Sequence, residues 1–223
     1  MLRGVIFDVD GTLVASNEAH ARSWVDTLQE IGYDVPFDVI WPMVGMGGDK
    51  LLPSATGIDA ASRLGQTLSK RRWEIFVRNY LTHLRPTRGA RDLVQRMKDD
   101  GLELIIATSA NGKEVGSLLE AANVADLFRL KTSASDAKES KPDPDIVQAA
   151  VRKSRIKPES LIMLGDTPYD VEASIGAHVN LIGLLSGGWT AIELSGATAI
   201  YDDPADLLRW YDISPFSVEA LAH

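Results

Sequence analysis

Cysteine is absent from the 223-residue sequence. Disulfides, thiolate metal sites and a cysteine nucleophile are therefore excluded. Long hydrophobic runs are also missing, since the apolar stretches are far shorter than the ~20 residues that a membrane-spanning helix needs. No segment with the basic, apolar and small-residue parts of a signal peptide opens the sequence. We therefore expect a cytoplasmic protein that has no membrane partner.

Basic residues are in the minority, with 23 Lys and Arg against 31 Asp and Glu, which gives a formal net charge of -8. This balance disfavours non-specific binding to nucleic acid, which requires a basic surface. A small anionic substrate remains compatible with it, because the local field in a cleft can oppose the net charge. The length favours one or two domains, and the oligomeric state stays unknown.

Short apolar runs without polar alternation are typical of parallel strands that are covered on both faces. Helical patterns lie between them, over 90–99, 145–153 and 170–175. Alternating strands and helices predict an α/β fold with a doubly wound, mostly parallel, Rossmann-like sheet. The predicted strands are 4–9, 102–107, 128–131, 161–164, 179–184 and 197–201.

Residues 15–86 interrupt this alternation. Two stretches in them, 17–31 and 64–84, carry apolar residues at helical spacing, and no convincing strand lies between. We therefore predict a helical domain inserted after the first strand, over 15–86, which would act as a lid on the α/β core of 1–14 and 87–223.

Polar side chains follow the strands of the predicted sheet. Asp8 and Asp10 come after the first strand, Thr108 after the second, and Asp166 after the fourth. Because ligands of parallel sheets bind beyond the carboxyl ends of the strands, we expect these groups to converge at one edge. Lys141, at the start of a helix, is expected at the same place. If these residues had only structural roles, their shared position at the ends of several strands would have no common explanation.

Four motifs in this order resemble those of the haloacid dehalogenase-like superfamily of hydrolases, in its large phosphatase branch. The helical insert is similar to the cap of phosphoglycolate phosphatases and beta-phosphoglucomutases. Many relatives have an aspartate where this chain has Ala15, so we expect altered contacts at the entry to the cap. The motifs are DVDGTLV at 8–14, IIATS at 105–109, KPDPDI at 141–146 and GDTPYD at 165–170.

The resemblance implies a Mg²⁺-dependent phosphatase that acts on a small phosphorylated metabolite. Asp8 would attack phosphorus and form an aspartyl-phosphate, and Asp10 would serve as general acid and base. Mg²⁺ would be held by Asp8, Asp166 and the backbone carbonyl of Asp10. Lys141 would neutralise charge in the transition state, and Asp170 would position a metal-bound water or Lys141, or cap the helix that follows it.

The resemblance also implies residues that contact the substrate. Thr108 and the backbone of Ser109 would bind phosphate oxygens. The remaining predicted contacts come from the first motif, from the residue that follows the second motif and from the insert: Gly11, Thr12, Ala110, His20 and Lys50. Two interpretations remain open for the residues of the insert. Lys50 either contacts the part of the substrate beyond phosphorus or is an exposed lysine at a hinge. His20 either contacts the substrate or packs within its helix.

Three other functions use the same fold. A beta-phosphoglucomutase-type transferase would share all four motifs and differ in the acceptor of the phosphoryl group. A haloacid dehalogenase needs neither metal nor the acid at Asp10, so the motif disfavours it. A catalytically silent binding protein is the alternative from another class, because a fold alone does not establish activity.

Overall fold

The computed structural model describes residues 1–216, and its centre is a sheet of six strands, all of whose neighbouring pairs are parallel. The order across the sheet is β3-β2-β1-β4-β5-β6. Each strand overlaps its predicted segment, which confirms the predicted doubly wound parallel sheet. The strands are β1 (Gly4–Phe7), β2 (Glu103–Ala107), β3 (Leu130–Thr132), β4 (Leu161–Gly165), β5 (Asn180–Leu184) and β6 (Ala199–Tyr201).

Five helices cover the two faces of this sheet. Alternate residues of β1 point to opposite faces, so Val5 and Phe7 belong to one apolar cluster and Ile6 to another. The first cluster includes residues of α5 (Ala90–Asp99), α6 (Gly112–Ala121) and α9 (Pro204–Arg209). The second includes residues of α7 (Asp145–Ser154) and α8 (Pro168–Gly176). Both faces of the central strands are thereby removed from water, as their continuous apolar sequence predicts.

The helices between β1 and α5 form a third apolar cluster of their own. They are α1 (Asn17–Gln29), α2 (Phe37–Ile40), α3 (Gly48–Thr56) and α4 (Arg63–Asn79). We call residues 15–86 the helical insert. The helical pattern over 64–84 overestimates the length of α4, which ends at Asn79 because Tyr80 leaves the helical conformation. A single turn, Leu81–His83, follows it.

The chain enters and leaves the helical insert through two segments that run side by side. The backbone N–H of Ala15 donates to the carbonyl of Arg85 at 3.0 Å, and that of Thr87 donates to the carbonyl of Leu13 at 3.0 Å. Val14 and Pro86 form an antiparallel bridge between these two bonds. The segments around Ala15 and Thr87 thus form a two-stranded connection, and the division into domains at these positions stays a prediction.

No helix within residues 1–216 combines the length and the apolarity of a membrane span. Residues 217–223, which belong to the predicted core segment 87–223, lie outside the described residues.

Candidate active site

The carboxyl ends of three neighbouring strands deliver the predicted polar residues to one edge of the sheet. Asp8 follows β1, Thr108 follows β2 and Asp166 follows β4, and strand β1 lies between the other two. Asp8 is 6% exposed, Thr108 1% and Asp166 0%. Burial at the sheet edge removes competing water, which strengthens the electrostatic interactions among these groups.

Lys141 lies between two of the carboxylates. Its Nζ is 2.5 Å from Oδ1 of Asp8 and 2.7 Å from Oδ1 of Asp170, and the lysine itself is 1% exposed. Burial opposes the positive charge, but the two carboxylates outweigh burial and raise the pKa of Lys141. The lysine is therefore a fixed cation beside Asp8.

Asp170 has two structural roles at once. Its Oδ2 accepts hydrogen bonds from the backbone N–H and the hydroxyl of Thr167, at 3.1 and 2.7 Å, and so completes the capping box of α8. Its other oxygen is the one that contacts Lys141. The two interpretations that the sequence left open, helix cap and partner of Lys141, thus both describe this residue.

Asp166 is enclosed by donors and by two glycines. Thr12 Oγ1 donates to one carboxylate oxygen at 3.0 Å and Asn17 Nδ2 to the other at 2.8 Å. A Cβ on Gly187 would lie 1.7 Å from Oδ2 of Asp166, and one on Gly11 would lie 2.1 Å from it. Only residues without a side chain fit at these two positions. Neither Asn17 nor this role of Gly187 could be recognised from the sequence, in which Gly187 resembles an ordinary turn residue.

Three carboxylates of this edge could hold a cation together, because oxygens of Asp8, Asp166 and Asp170 lie within 4.8 Å of one another. If all three were ionised, they would amount with Lys141 to three buried negative charges and one buried positive charge. Burial, followed by repulsion from Asp170 and Asp10, raises the pKa of Asp8 to about 8 despite the opposing Lys141.

Burial, with repulsion from Asp170 and Asp8, also raises the pKa of Asp166 well above its usual value. A hard divalent cation with oxygen ligands would neutralise the excess negative charge of these groups and favour their ionised forms. The donor set therefore fits such a cation.

The carboxylate of Asp10 is turned away from this cluster. Its Oδ1 accepts a hydrogen bond from Ser16 Oγ at 2.5 Å and lies 2.8 Å from His20 Nε2. Burial alone would raise the pKa of Asp10, but His20, through its charge and hydrogen bond, and Ser16 lower it below the usual value. The pKa values of Asp8 and Asp10 are thus shifted in opposite directions. Metal binding by the Asp10 backbone carbonyl stays a prediction.

A cleft of about 970 Å³ opens above Asp8 and Asp10, between the sheet edge and the helical insert. The predicted contact residues Thr108, Ser109 and Ala110 line it from the core, and His20 lines it from the insert. His20 is also packed, because its ring stacks on Phe76 of α4 with centroids 4.4 Å apart.

Three predicted substrate contacts do not line this cleft. Gly11 and Thr12 lie behind the carboxylates, because the turn at Gly11 (φ +75°) directs the chain back toward Asp166. Lys50 forms an ion pair with Asp143 of the core instead of facing the cleft. The structure thus places these three residues off the cleft wall, and their contact with a substrate stays a prediction.

Two residues of the cleft were not found from the sequence. Arg72 of α4 and Glu114 of α6 form a buried ion pair, in which the guanidinium donates to both carboxylate oxygens at 2.7 and 2.8 Å. The only local signal was that Arg72 shares a helical stripe with the apolar Leu68 and Phe76, four residues away on either side.

Residues 5–184 match a family model described as haloacid dehalogenase-like hydrolase. The chain belongs to this family. The prediction of an enzyme, a hydrolase of this superfamily, is therefore confirmed. A solved structure of a hydrolase from Pseudomonas syringae has the same fold, with a TM-score of 0.88 and 28% identity, and the match covers 95% of this chain and 99% of that one.

Curated relatives of this haloacid dehalogenase-like hydrolase differ in length. A phosphoglycolate phosphatase from Pseudomonas putida is 28% identical over 216 residues, which are 92% of this chain and 78% of that protein. Protein SUPPRESSOR OF QUENCHING 1 of Arabidopsis thaliana is 29% identical over 207 residues. That match covers 89% of this chain but spans only 19% of the Arabidopsis protein.

Proposed function

We propose that this haloacid dehalogenase-like hydrolase is a phosphatase that removes phosphate from a small phosphorylated metabolite, with Asp8 as the nucleophile. The observation that supports this function best is the position of Asp8, which lies at the floor of the cleft with Lys141 Nζ 2.5 Å from its carboxylate. The lysine and Thr108 would hold the oxygens of a phosphate while Asp8 attacks phosphorus.

In the first step, an oxygen of Asp8 forms a bond to phosphorus and the bond to the leaving alkoxide breaks, which gives an aspartyl-phosphate. Asp10 donates a proton to the departing oxygen; the approaching phosphate dianion opposes the lowering of the Asp10 pKa by His20 and Ser16 and so favours the protonated form. Lys141 stabilises the negative charge on the phosphoryl oxygens. Its ion pair with Asp170 holds the ammonium in place throughout.

In the second step, Asp10 takes a proton from a water molecule, whose oxygen attacks phosphorus and releases Asp8 and inorganic phosphate. The lowered pKa of Asp10 suits it to act as the base of this second step, and its partners, Ser16 and His20, are separate from those of Asp8. The cleft walls restrict access of bulk water while the first bond breaks.

A divalent cation, Mg²⁺ by its preference for carboxylate oxygens, would be held by Asp8 and Asp166, with the backbone carbonyl of Asp10 as a further ligand. When bound, it would reduce the repulsion between a phosphate dianion and the carboxylate that attacks it. Asp170 would support this arrangement through Lys141. The excess negative charge of the cluster is the observation that supports this assignment.

We further propose that residues 15–86 act as a cap. The cleft has one wall in the core and one in the helical insert, so the leaving group would lie between them. The two-stranded connection at Ala15 and Thr87 would serve as the hinge. A cytoplasmic location also stays a proposal.

The test is release of inorganic phosphate from a panel of phosphorylated metabolites with Mg²⁺ present. Asp8→Asn should lower kcat by at least about 10³-fold, because an amide cannot form the acyl-phosphate. Asp143→Asn, which changes an acid outside the cleft, is the matched control and should keep most activity. Comparable activity in the two variants would exclude Asp8 as the nucleophile.

A phosphoglucomutase activity is the second candidate, because the contact of His20 with Asp10 places a residue of the insert beside the proposed acid. Incubation with a hexose 1-phosphate distinguishes the phosphatase from the mutase activity. A phosphatase releases inorganic phosphate, whereas a mutase yields the hexose 6-phosphate.

A further inference from the structure

The wall of the cleft that the helical insert supplies is largely aromatic and apolar. Trp24 of α1 and Trp73 of α4 both line it, and the guanidinium of Arg72 lies 5.7 and 5.8 Å from the centroids of their rings. Met46, from the loop before α3, lines the same cleft. Trp73 and Met46 are only partly buried, so a ligand in the cleft could contact their side chains.

The wall that the core supplies carries small apolar side chains. Ala110, Ala134 and Ala137 line the cleft and lie next to one another. The backbone N–H of Ala134 donates to the carbonyl of Ala110 at 3.0 Å, and that of Ala137 donates to the carbonyl of Ala134 at 3.4 Å. Methyl groups form a low surface on which a flat ligand can lie. We call the part of the cleft between these alanines and Trp73 the apolar slot.

The charges of the cleft walls do not favour an anionic leaving group. Arg72 is buried, but both oxygens of Glu114 accept from it at 2.7 and 2.8 Å, so its charge is already neutralised. Within residues 1–216, the lysines that line the cleft are Lys70, Lys113 and Lys138, and all three are exposed. Water and salt weaken the field of such exposed cations. A carboxylate on the leaving group would therefore be desolvated without gaining a buried cationic partner.

The size of the cleft favours a leaving group larger than a few atoms. Its volume of about 970 Å³ lies at the upper end of the roughly 300–1,000 Å³ of sites that bind drug-sized molecules. A two-carbon alcohol would leave most of this space to water. Apolar walls that stay in contact with water contribute nothing to binding, whereas a ring that covers them gains from burial.

We propose that the leaving group of the substrate carries a flat, uncharged aromatic ring, which lies in the apolar slot against the indole of Trp73. Two sources have this chemistry. One is a nucleoside 5′-monophosphate, in which ribose joins the ring to the phosphate, and the other is a simple arylalkyl phosphate. The inference rests on the proposed phosphatase function, because the phosphate of either ester would lie at Asp8. Trp73 and the three alanines are then specificity-determining residues.

The first test compares esters with and without the ring. AMP is paired with ribose 5-phosphate, and benzyl phosphate with ethyl phosphate, so that a primary alcohol leaves in every case. The wild type should give a kcat/KM about 5–100-fold higher for the ester with the ring, the range that stacking of a base on an aromatic side chain supplies. A preference in the AMP pair alone assigns the nucleoside, in the benzyl pair alone the arylalkyl group, and in both pairs the ring in general. Equal values within both pairs, or a higher kcat/KM for phosphoglycolate than for either ring ester, would overturn the inference.

The second test changes each wall of the apolar slot in turn. Trp73→Ala should lower kcat/KM about 5–100-fold for the preferred ring ester and less than about 3-fold for its ringless match, and Trp73→Phe should restore most of the loss. Ala137→Leu fills the slot from the core without altering the insert, and should cause the same selective loss. Trp210→Ala, which changes a half-exposed tryptophan outside the cleft, is the control and should keep the wild-type ratio. An unchanged ratio in both slot variants would contradict the role of the slot.

The third test requires no activity. Adenosine and benzyl alcohol carry no phosphate and cannot be hydrolysed, so their contact with the protein is measured by saturation-transfer difference NMR. Ring protons should receive saturation from the wild type and at least about 5-fold less from Trp73→Ala. Saturation of the ring protons together with no phosphate release from any ester would refute the phosphatase function and leave the ring site standing. Equal saturation by the wild type and by Trp73→Ala, for both probes, would refute the ring site itself.

Discussion

Removal of one carboxylate from the buried cluster should abolish stabilisation by Mg²⁺. When Asp8, Asp166 and Asp170 are all ionised, they exceed the single positive charge of Lys141 by two negative charges, which a bound divalent cation would neutralise. A ligand at 100 times its Kd stabilises a protein by about 2.7 kcal/mol. At about 2–4 °C per kcal/mol for a chain of this size, Mg²⁺ should raise Tm of the wild type by about 5–11 °C.

Asp166→Asn is the informative change, because asparagine keeps the shape of the side chain while it removes one charge. Its carbonyl still accepts from Thr12, whereas its amide opposes Asn17 Nδ2, at a cost of about 1 kcal/mol for the lost hydrogen bond. The loss of buried repulsion offsets this cost. In chelator, the free energies of unfolding of variant and wild type should therefore differ by only about 1 kcal/mol.

Thermal unfolding followed by circular dichroism, in excess chelator and in excess Mg²⁺, measures this prediction without any substrate. Asp143→Asn serves as the control and should keep the full shift, since Asp143 pairs with Lys50 outside the cluster. The assignment would be refuted if the wild type had the same Tm in both buffers. A full Mg²⁺ shift in Asp166→Asn would equally exclude Asp166 as a ligand.

Three further predictions follow from the same contacts. In chelator, the free energy of unfolding should fall between about pH 4 and pH 8. The cause is that burial raises the pKa of Asp8 to about 8 in the folded state, whereas the unfolded carboxyl releases its proton near pH 4. Urea titrations should show a weaker dependence of the free energy of unfolding on pH for Asp8→Asn. Lys50→Ala should change kcat/KM equally for phosphoglycolate and for sugar phosphates that carry no second anionic group, since Lys50 pairs with Asp143. A loss confined to phosphoglycolate would show that Lys50 contacts the substrate. Gly187→Ala should eliminate both activity and the Mg²⁺ shift, because its Cβ would overlap Asp166; Gly116→Ala, where a Cβ meets nothing within 4 Å, should be silent.

The parts of the fold that depend on local pattern could be predicted from the sequence. Strand β1 is an unbroken apolar run, and parallel strands place whatever follows them at a common edge. On this basis the sequence alone predicts that Asp8, Thr108 and Asp166 lie at the same edge of the sheet. The end of α4 at Asn79 could not, because the apolar spacing continues past it into the turn of Leu81–His83.

The residues that were missed make contacts over long stretches of sequence. Arg72 and Glu114 are 42 positions apart, and each by itself resembles a charged residue on a solvated helix. Asn17 reaches Asp166 across 149 positions. The partner of Lys50, Asp143, is likewise 93 positions away, and the glycine-rich loop before Lys50 gives no information about the direction of its side chain. Only the packing of the insert on the core determines these partners.

The adjacent entry and exit segments of the helical insert have a consequence for how the chain could have diversified. An element that leaves and rejoins the core at one point can be lengthened, shortened or exchanged without altering any strand pairing, and none of the six strands lies in residues 15–86. Asp8 and Lys141 would keep their mutual contact after such an exchange. Asp10 would not keep its partners, because Ser16 and His20 would leave with the insert. Any replacement module must therefore bring its own hydrogen-bond donors for that carboxylate.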